Sequence, residues 1–132
     1  MNRAIVILLF LTFVSCEYYN GRLKIINKSD KVICFDHKSD TVLDVPSINK
    51  KEYFLRTRIN PGDTTNVVLP GGTERWVWEV TSGIDSTLSV FIFDYEQVLE
   101  NNWDSLRKNK YYQRLDYPLS ELNKNDWTVI VE

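Results

Sequence analysis

The stretch STLSVFIFD, residues 86–94, constrains the fold most. In an extended chain Leu88, Val90 and Ile92 share one face while Phe91 and Phe93 take the other, so both faces are apolar. A strand of that kind has to be covered above and below, which predicts a central position. A fold with this strand at its middle needs other strands around it, and the chain supplies candidates about every ten residues.

RLKIINK (22–28) alternates as a half-buried strand, with Leu23 and Ile25 on one face. NKSD (27–30) is rich in turn formers and KVICFDH (31–37) follows as a second strand, predicting a hairpin. The polar segment 38–51, with Pro46, reads as a long loop, and EYFLRTRI (52–59) as a third strand. NPGD (60–63) has turn chemistry, with proline presetting φ and glycine accepting a positive one. TTNVVL (64–69) is then a strand. TERWVWEV (73–80) is ambiguous: extended, it puts Trp76, Trp78 and Val80 on one face, and a helical turn fits nearly as well.

After the central strand, NNWDSLRKN (101–109) has an asparagine cap, Asp104 in the first turn and Arg107 and Lys108 in the last, the charge order a short helix favours. KYYQRLD (110–116) predicts a strand, and YPLSELNKN (117–125) a helical turn with Pro118 near its start. WTVIVE (127–132) closes the chain as a strand with Trp127, Val129 and Val131 on one face. The expected fold is therefore mainly β: an antiparallel immunoglobulin-like sandwich or barrel with one or two short helical insertions near the C-terminus.

The first residues, MNRAIVILLFLTFVSC, show the parts of an export signal: Arg3, an apolar run from Ala4 to Val14, and small Ser15 before Cys16. The run of eleven residues is about half of the ~20 a membrane-crossing helix needs. This predicts a signal over 1–15, a tether over 16–21 and one domain over 22–132. Phe13, Val14, Ser15 and Cys16 resemble the lipobox of bacterial lipoproteins, although Phe13 stands where leucine is commonest. The resemblance implies that Cys16 is diacylglycerated, that the signal is cut before it, and that the new amino terminus is acylated. Lipid chains at about 0.8 kcal/mol per buried methylene would then hold the domain on a bilayer. The chain has only two cysteines. A lipidated Cys16 leaves Cys34 a lone, buried thiol, whereas an unlipidated Cys16 leaves a Cys16–Cys34 disulfide open in an oxidising envelope.

Without residues 1–15 the chain keeps 117 residues, enough for one core, and 15 Lys plus Arg against 18 Asp plus Glu, net −3. That balance, with no basic stripe among aromatics, argues against a nucleic-acid partner. Trp, Tyr and Phe make up 13% of the sequence, which favours strands. The segments IINKSDKVICF, LSVFIFD, NNWDSLRKN, YYQRLDYPLSEL and NDWTVIV resemble a group of small, uncharacterised envelope lipoproteins of Bacteroidota-type bacteria. The resemblance implies an outer-membrane lipoprotein and brings no activity with it. Surface-exposed members of such proteomes carry an acidic cluster after the lipidated cysteine; here only Glu17 follows, leaving periplasmic and surface placement both open.

No pattern of catalytic residues emerges. His37, the only histidine, lies three residues after Cys34, an odd offset that sends the two side chains to opposite faces of a strand; His37 is expected to face solvent at the strand end. Asp36, Asp40 and Asp44 recur in a polar region without the glycine-centred loop of a calcium site, so they are read as solvated acids. Asp94 and Glu96 have the spacing of two carboxylates on one strand face, but Asp94 is better placed to close the strand. The expectation is a protein with no catalytic or metal-ligating residues and no cofactor. It is a lipid-anchored, non-enzymatic binding or assembly module whose partners are the membrane, through Cys16, and an envelope protein or a glycan. The alternative is a carbohydrate- or peptide-binding module using an aromatic face around Trp76 and Trp78, set against both tryptophans filling the core.

Overall fold

A computed structural model describes residues 18–132; the expected signal over 1–15 and the lipidation site Cys16 lie outside them. The element order is β1 (Tyr19–Asn27), β2 (Ile33–Lys38), α1 (Lys51–Leu55), β3 (Thr64–Pro70), α2 (Arg75–Thr81), β4 (Thr87–Asp94), α3 (Tyr95–Glu100), α4 (Trp103–Lys108), β5 (Gln113–Pro118), α5 (Leu119–Lys124) and β6 (Thr128–Val131). The strands form two three-stranded sheets, in the orders β3-β1-β6 and β2-β4-β5. All pairs are antiparallel except β1 with β6, which run parallel with Ile25 opposite Val129.

β4 occupies the centre of its sheet, as its sequence predicts, and both its faces are buried. Leu88, Val90 and Ile92 join Leu23, Ile25 and Val129 in a cluster between the sheets, where Trp76 and Trp127 are also buried. On the opposite face Phe91 and Phe93 meet Cys34, Phe54, Trp103 and Leu106 in a second cluster. Each fully buried aliphatic side chain here contributes about 1.5–3 kcal/mol relative to exposure.

The strand-rich, mostly antiparallel expectation holds at that level, but the parallel β1–β6 pair and helices along the whole second half of the chain make an α/β mixture rather than a plain sandwich. Three local expectations are corrected. β1 and β2 form no hairpin: they belong to different sheets, and the chain arches from one to the other. Asn27 holds that arch, its buried amide donating to the carbonyls of Lys31 (2.7 Å) and Ile59 (3.0 Å) while its Oδ1 accepts from the Ser29 N–H and hydroxyl. Residues 52–59 are not a strand. Their buried members, Phe54 and Ile59, are five apart and enter different clusters, so Lys51–Leu55 coils to seat Phe54 and Ile59 alone makes a β-bridge, to Ile33. The ambiguous TERWVWEV segment is helical, because Trp76 and Val80, four residues apart, form one buried stripe.

The turn at 60–63 is as its residues predict, with Gly62 at φ 82° and the Asp63 N–H donating to the Asn60 carbonyl. Helix α4 starts where expected, its Asn102 cap accepting from the Ser105 N–H at 3.0 Å. Helix α3 is an addition: Asp94, at the end of β4, caps it by accepting from the N–H groups of Glu96 and Gln97.

Candidate functional site

β2 and β3 are outer strands of their respective sheets. The sheets meet at a corner where Ile33 and Ile59 exchange backbone hydrogen bonds of 3.1 and 2.8 Å. Beyond that corner the two strands line opposite walls of a cleft of about 690 Å³, within the usual ~300–1,000 Å³ of ligand pockets. Phe35 and His37 come from one wall, Asn66 and Val68 from the other, Tyr53 and Arg58 from the segment around α1, and Glu79 from α2.

Strand register decides which backbone groups face this space. Ile33 spends its N–H and C=O on Ile59, and the Val32 carbonyl accepts from the Tyr95 N–H just past β4, so alternation directs the backbone groups of Phe35 and His37 away from β4 and towards the cleft. On β3, the Asp63 carbonyl accepts from Asn27 of β1, which directs Thr65 and Val67 to β1 and Asn66 and Val68 outward. The His37 N–H is already satisfied by Asp36 Oδ1 at 2.8 Å. The cleft is thus bordered by two strand edges, that of β2 partly satisfied by Ile59 and Asp36 and that of β3 open along Asn66 and Val68.

His37 is half-buried at the cleft and does not stand free at the strand end. Its ring packs against Trp76 with centroids 5.1 Å apart, and its buried Nδ1 has no hydrogen-bond partner among the described residues. Burial lowers its pKa from 6.5 despite the opposing pull of Asp36 and Glu79, with Lys38 adding to the lowering, so the imidazole is neutral at pH 7. Trp76 is fully buried and its indole N–H donates to the Asn20 carbonyl at 3.1 Å. Trp78, on the other side of α2, is 57% exposed and lies under the Arg75 guanidinium, 4.4 Å from its centroid. The structure therefore does not bring the two tryptophans onto one aromatic face, since a helix turns neighbours two apart away from each other.

Cys34 and His37 point to opposite sides of the β2–β4–β5 sheet, as their odd spacing predicts. Cys34 is fully buried in the second cluster, and this burial, helped by Asp94, pushes its thiol up to about 12, so that it stays protonated at neutral pH. Among the three spaced acids, Asp36 pairs with Arg107 (2.9 Å), Asp44 with Lys38, and Asp40 accepts from the Thr41 N–H. Asp94 is occupied by its cap and by Lys31 at 3.0 Å. Partial burial pushes its carboxyl up, but Lys31 and the N–H groups of Gln97 and Glu96 outweigh that and hold it below the ordinary 3.8. Glu96 lies exposed on the first turn of α3, so the two carboxylates do not converge.

Arg107 is the residue that sequence reasoning misplaced. Read as a helix-end charge, it is instead buried, with Nη1 on Asp36, Nε on the Asp44 carbonyl at 3.0 Å, and its guanidinium 5.0 Å from the Trp103 ring. Its spacing four residues after Trp103 places it on the buried stripe, a signal present in the sequence.

Compared with known proteins, the chain matches no protein-family model, no curated protein and no solved structure.

Proposed function

We propose that this protein is a lipid-anchored component of the cell envelope, held at the outer membrane through Cys16, and that it is a non-catalytic binding or assembly module. The observation that carries the binding part is the cleft between β2 and β3, a concave site bordered by unpaired backbone and opening beside the buried face of His37. In this reading the two sheets act as a sandwich-like scaffold that keeps those edges apart. The anchoring part rests on the lipobox-like FVSC sequence, and two observations fit it. Cys34 is buried in the second cluster, so a bridge to Cys16 would require that cluster to open. β1 begins at Tyr19, three residues after Cys16, which would hold the domain close to the bilayer. The alternative aromatic platform keeps only Trp78 as an exposed member.

The test is the intact mass of the protein purified from membranes without reducing agent. A species starting at Cys16 and carrying diacylglyceryl and acyl groups is expected. An unlipidated species, or one two hydrogen atoms lighter through an oxidatively formed disulfide, would end the anchored reading.

A further inference from the structure

The two sheets have four outer strands, β2 and β5 in one and β3 and β6 in the other, and three are protected. β6 has four residues, too short a template for stable pairing. β5 carries Arg114 and Asp116, and Arg114 reaches over to the Thr41 carbonyl at 3.2 Å. β2 has Ile33 taken by Ile59 and the His37 N–H taken by Asp36. β3 is different: seven residues, TTNVVLP, without a charge, and with the N–H and C=O groups of Asn66 and Val68 directed off the sheet. Natural proteins rarely leave such an edge open unless another strand joins it.

We propose that β3 accepts an extended polypeptide segment as an added strand within the cleft, and that an acidic residue of this segment meets Arg56 and Arg58. The proposal rests on the binding-module reading and names the class of its partner. Strand addition supplies what the edge lacks, alternating main-chain donors and acceptors at about 4.8 Å spacing, while side chains of the segment enter the cleft at every second position. Charge selects the partner. In the cleft lining Asp36, Lys38 and Glu79 are already paired with Arg107, Asp44 and Arg75, which leaves the Asp40 carboxylate against two arginines, a surplus of positive charge. Arg56 and Arg58 are exposed and belong to no ion pair among the described residues. Geometry selects a single chain over a second copy of the domain, because β3 lies along one wall of a cleft whose other wall is β2 and the segment around α1.

The probe is a displayed library of random octapeptides, selected on the full-length protein in detergent; a recovered peptide is then synthesised with and without N-methylation at alternate amides. The expected peptides are enriched in Asp and Glu. Methylation of one alternate set should raise Kd at least tenfold, and peptide binding should slow amide exchange at Asn66 and Val68 at least tenfold. Arg56→Glu with Arg58→Glu should weaken binding at least tenfold at unchanged melting temperature. Peptides that tolerate both methylation patterns, or that protect amides elsewhere, would overturn the proposal. So would sedimentation as a dimer whose β3 amides are protected without peptide. If no peptide is recovered but a glycan array gives a signal lost in Trp78→Ala, strand addition falls and the binding-module reading stands; silence in both assays removes both.

Discussion

On opposite faces of the β4 sheet two ionisable side chains, Arg107 and His37, lie against tryptophans, and they are held in opposite ways. On the outer face the Arg107 guanidinium lies 5.0 Å from the Trp103 ring and is bound by the Asp36 carboxylate and the Asp44 carbonyl. On the inner face His37 lies 5.1 Å from Trp76 with its Nδ1 unpartnered among the described residues. A permanent charge has to be paired when buried, so Arg107 fastens α4 to β2 and to the loop before α1. An imidazole can shed its proton instead, so His37 remains neutral at the border of the cleft. The outer cluster is closed by its polar group, and the inner one stays open beside its own.

The largest effect expected is in the packing that His37 leans on. Trp76→Ala removes a fully buried indole and its bond to Asn20, and is expected to cost about 3–5 kcal/mol in urea unfolding. Trp78→Ala, two residues on and exposed, should change stability by less than about 0.5 kcal/mol. Equal costs for the two would mean that α2 is turned differently from the helix described here.

Next comes the closed side. Arg107→Ala leaves Asp36 without its partner and should cost about 3 kcal/mol, near the low end for breaking a buried pair because the Asp36 side chain keeps 16% of its exposure. Arg107→Met with Asp36→Leu, which removes both charges and keeps the bulk, should recover most of that loss. A cost below about 1 kcal/mol for Arg107→Ala would show that the pair does not fasten α4 to β2.

The difference between the two sides also explains what was legible in the sequence. β4, β3, β6, the 60–63 turn and the Asn102 cap depend on residues close in the chain, and periodicity or turn chemistry exposes them. NKSD forms a turn either way, so local chemistry predicts a hairpin where β1 arches to β2; which strands pair is decided by Asn27 reaching Ile59, 32 residues on. Phe54 draws 51–55 into a helix through contacts with Trp103, far along the chain. Arg107 was legible from its place on the Trp103 stripe. The cleft was not, since its walls are edges of two sheets whose relation no local pattern encodes.

A third, smaller effect lies at the end of β4. Asp94→Ala removes the α3 cap and the Lys31 pair and should cost about 1 kcal/mol at pH 7, most of it from the cap. The Asp94 pKa is lowered in the folded state, so its contribution is complete above the unfolded value of 3.8 and fades as pH falls through the lower folded value. Asp94→Asn, which keeps a capping oxygen, should lose less. An Asp94→Ala protein as stable as the parent at pH 7 would show that α3 is held by Val98 packing alone.

The smallest effect tests the open side directly. His37 has a folded pKa below its unfolded 6.5, so between those values the unfolded chain binds the extra proton and stability falls as pH is lowered. For one group with an unfolded pKa of 6.5 the loss between pH 7 and pH 6 is at most about 0.7 kcal/mol. The groups around the ring set the sign against the outcome one would guess from charge alone: Asp36 and Glu79 favour the imidazolium, Lys38 opposes it, and burial against Trp76 outweighs the acids. Asp44 and Asp94 have lowered values and titrate below 3.8, outside this window. His37→Gln should therefore flatten the stability profile between pH 7 and 6 while leaving the acid limb in place. An unchanged slope in that variant would mean that His37 is solvated like any surface histidine, and the contrast between a closed and an open side of β4 would fail at the residue that defines it.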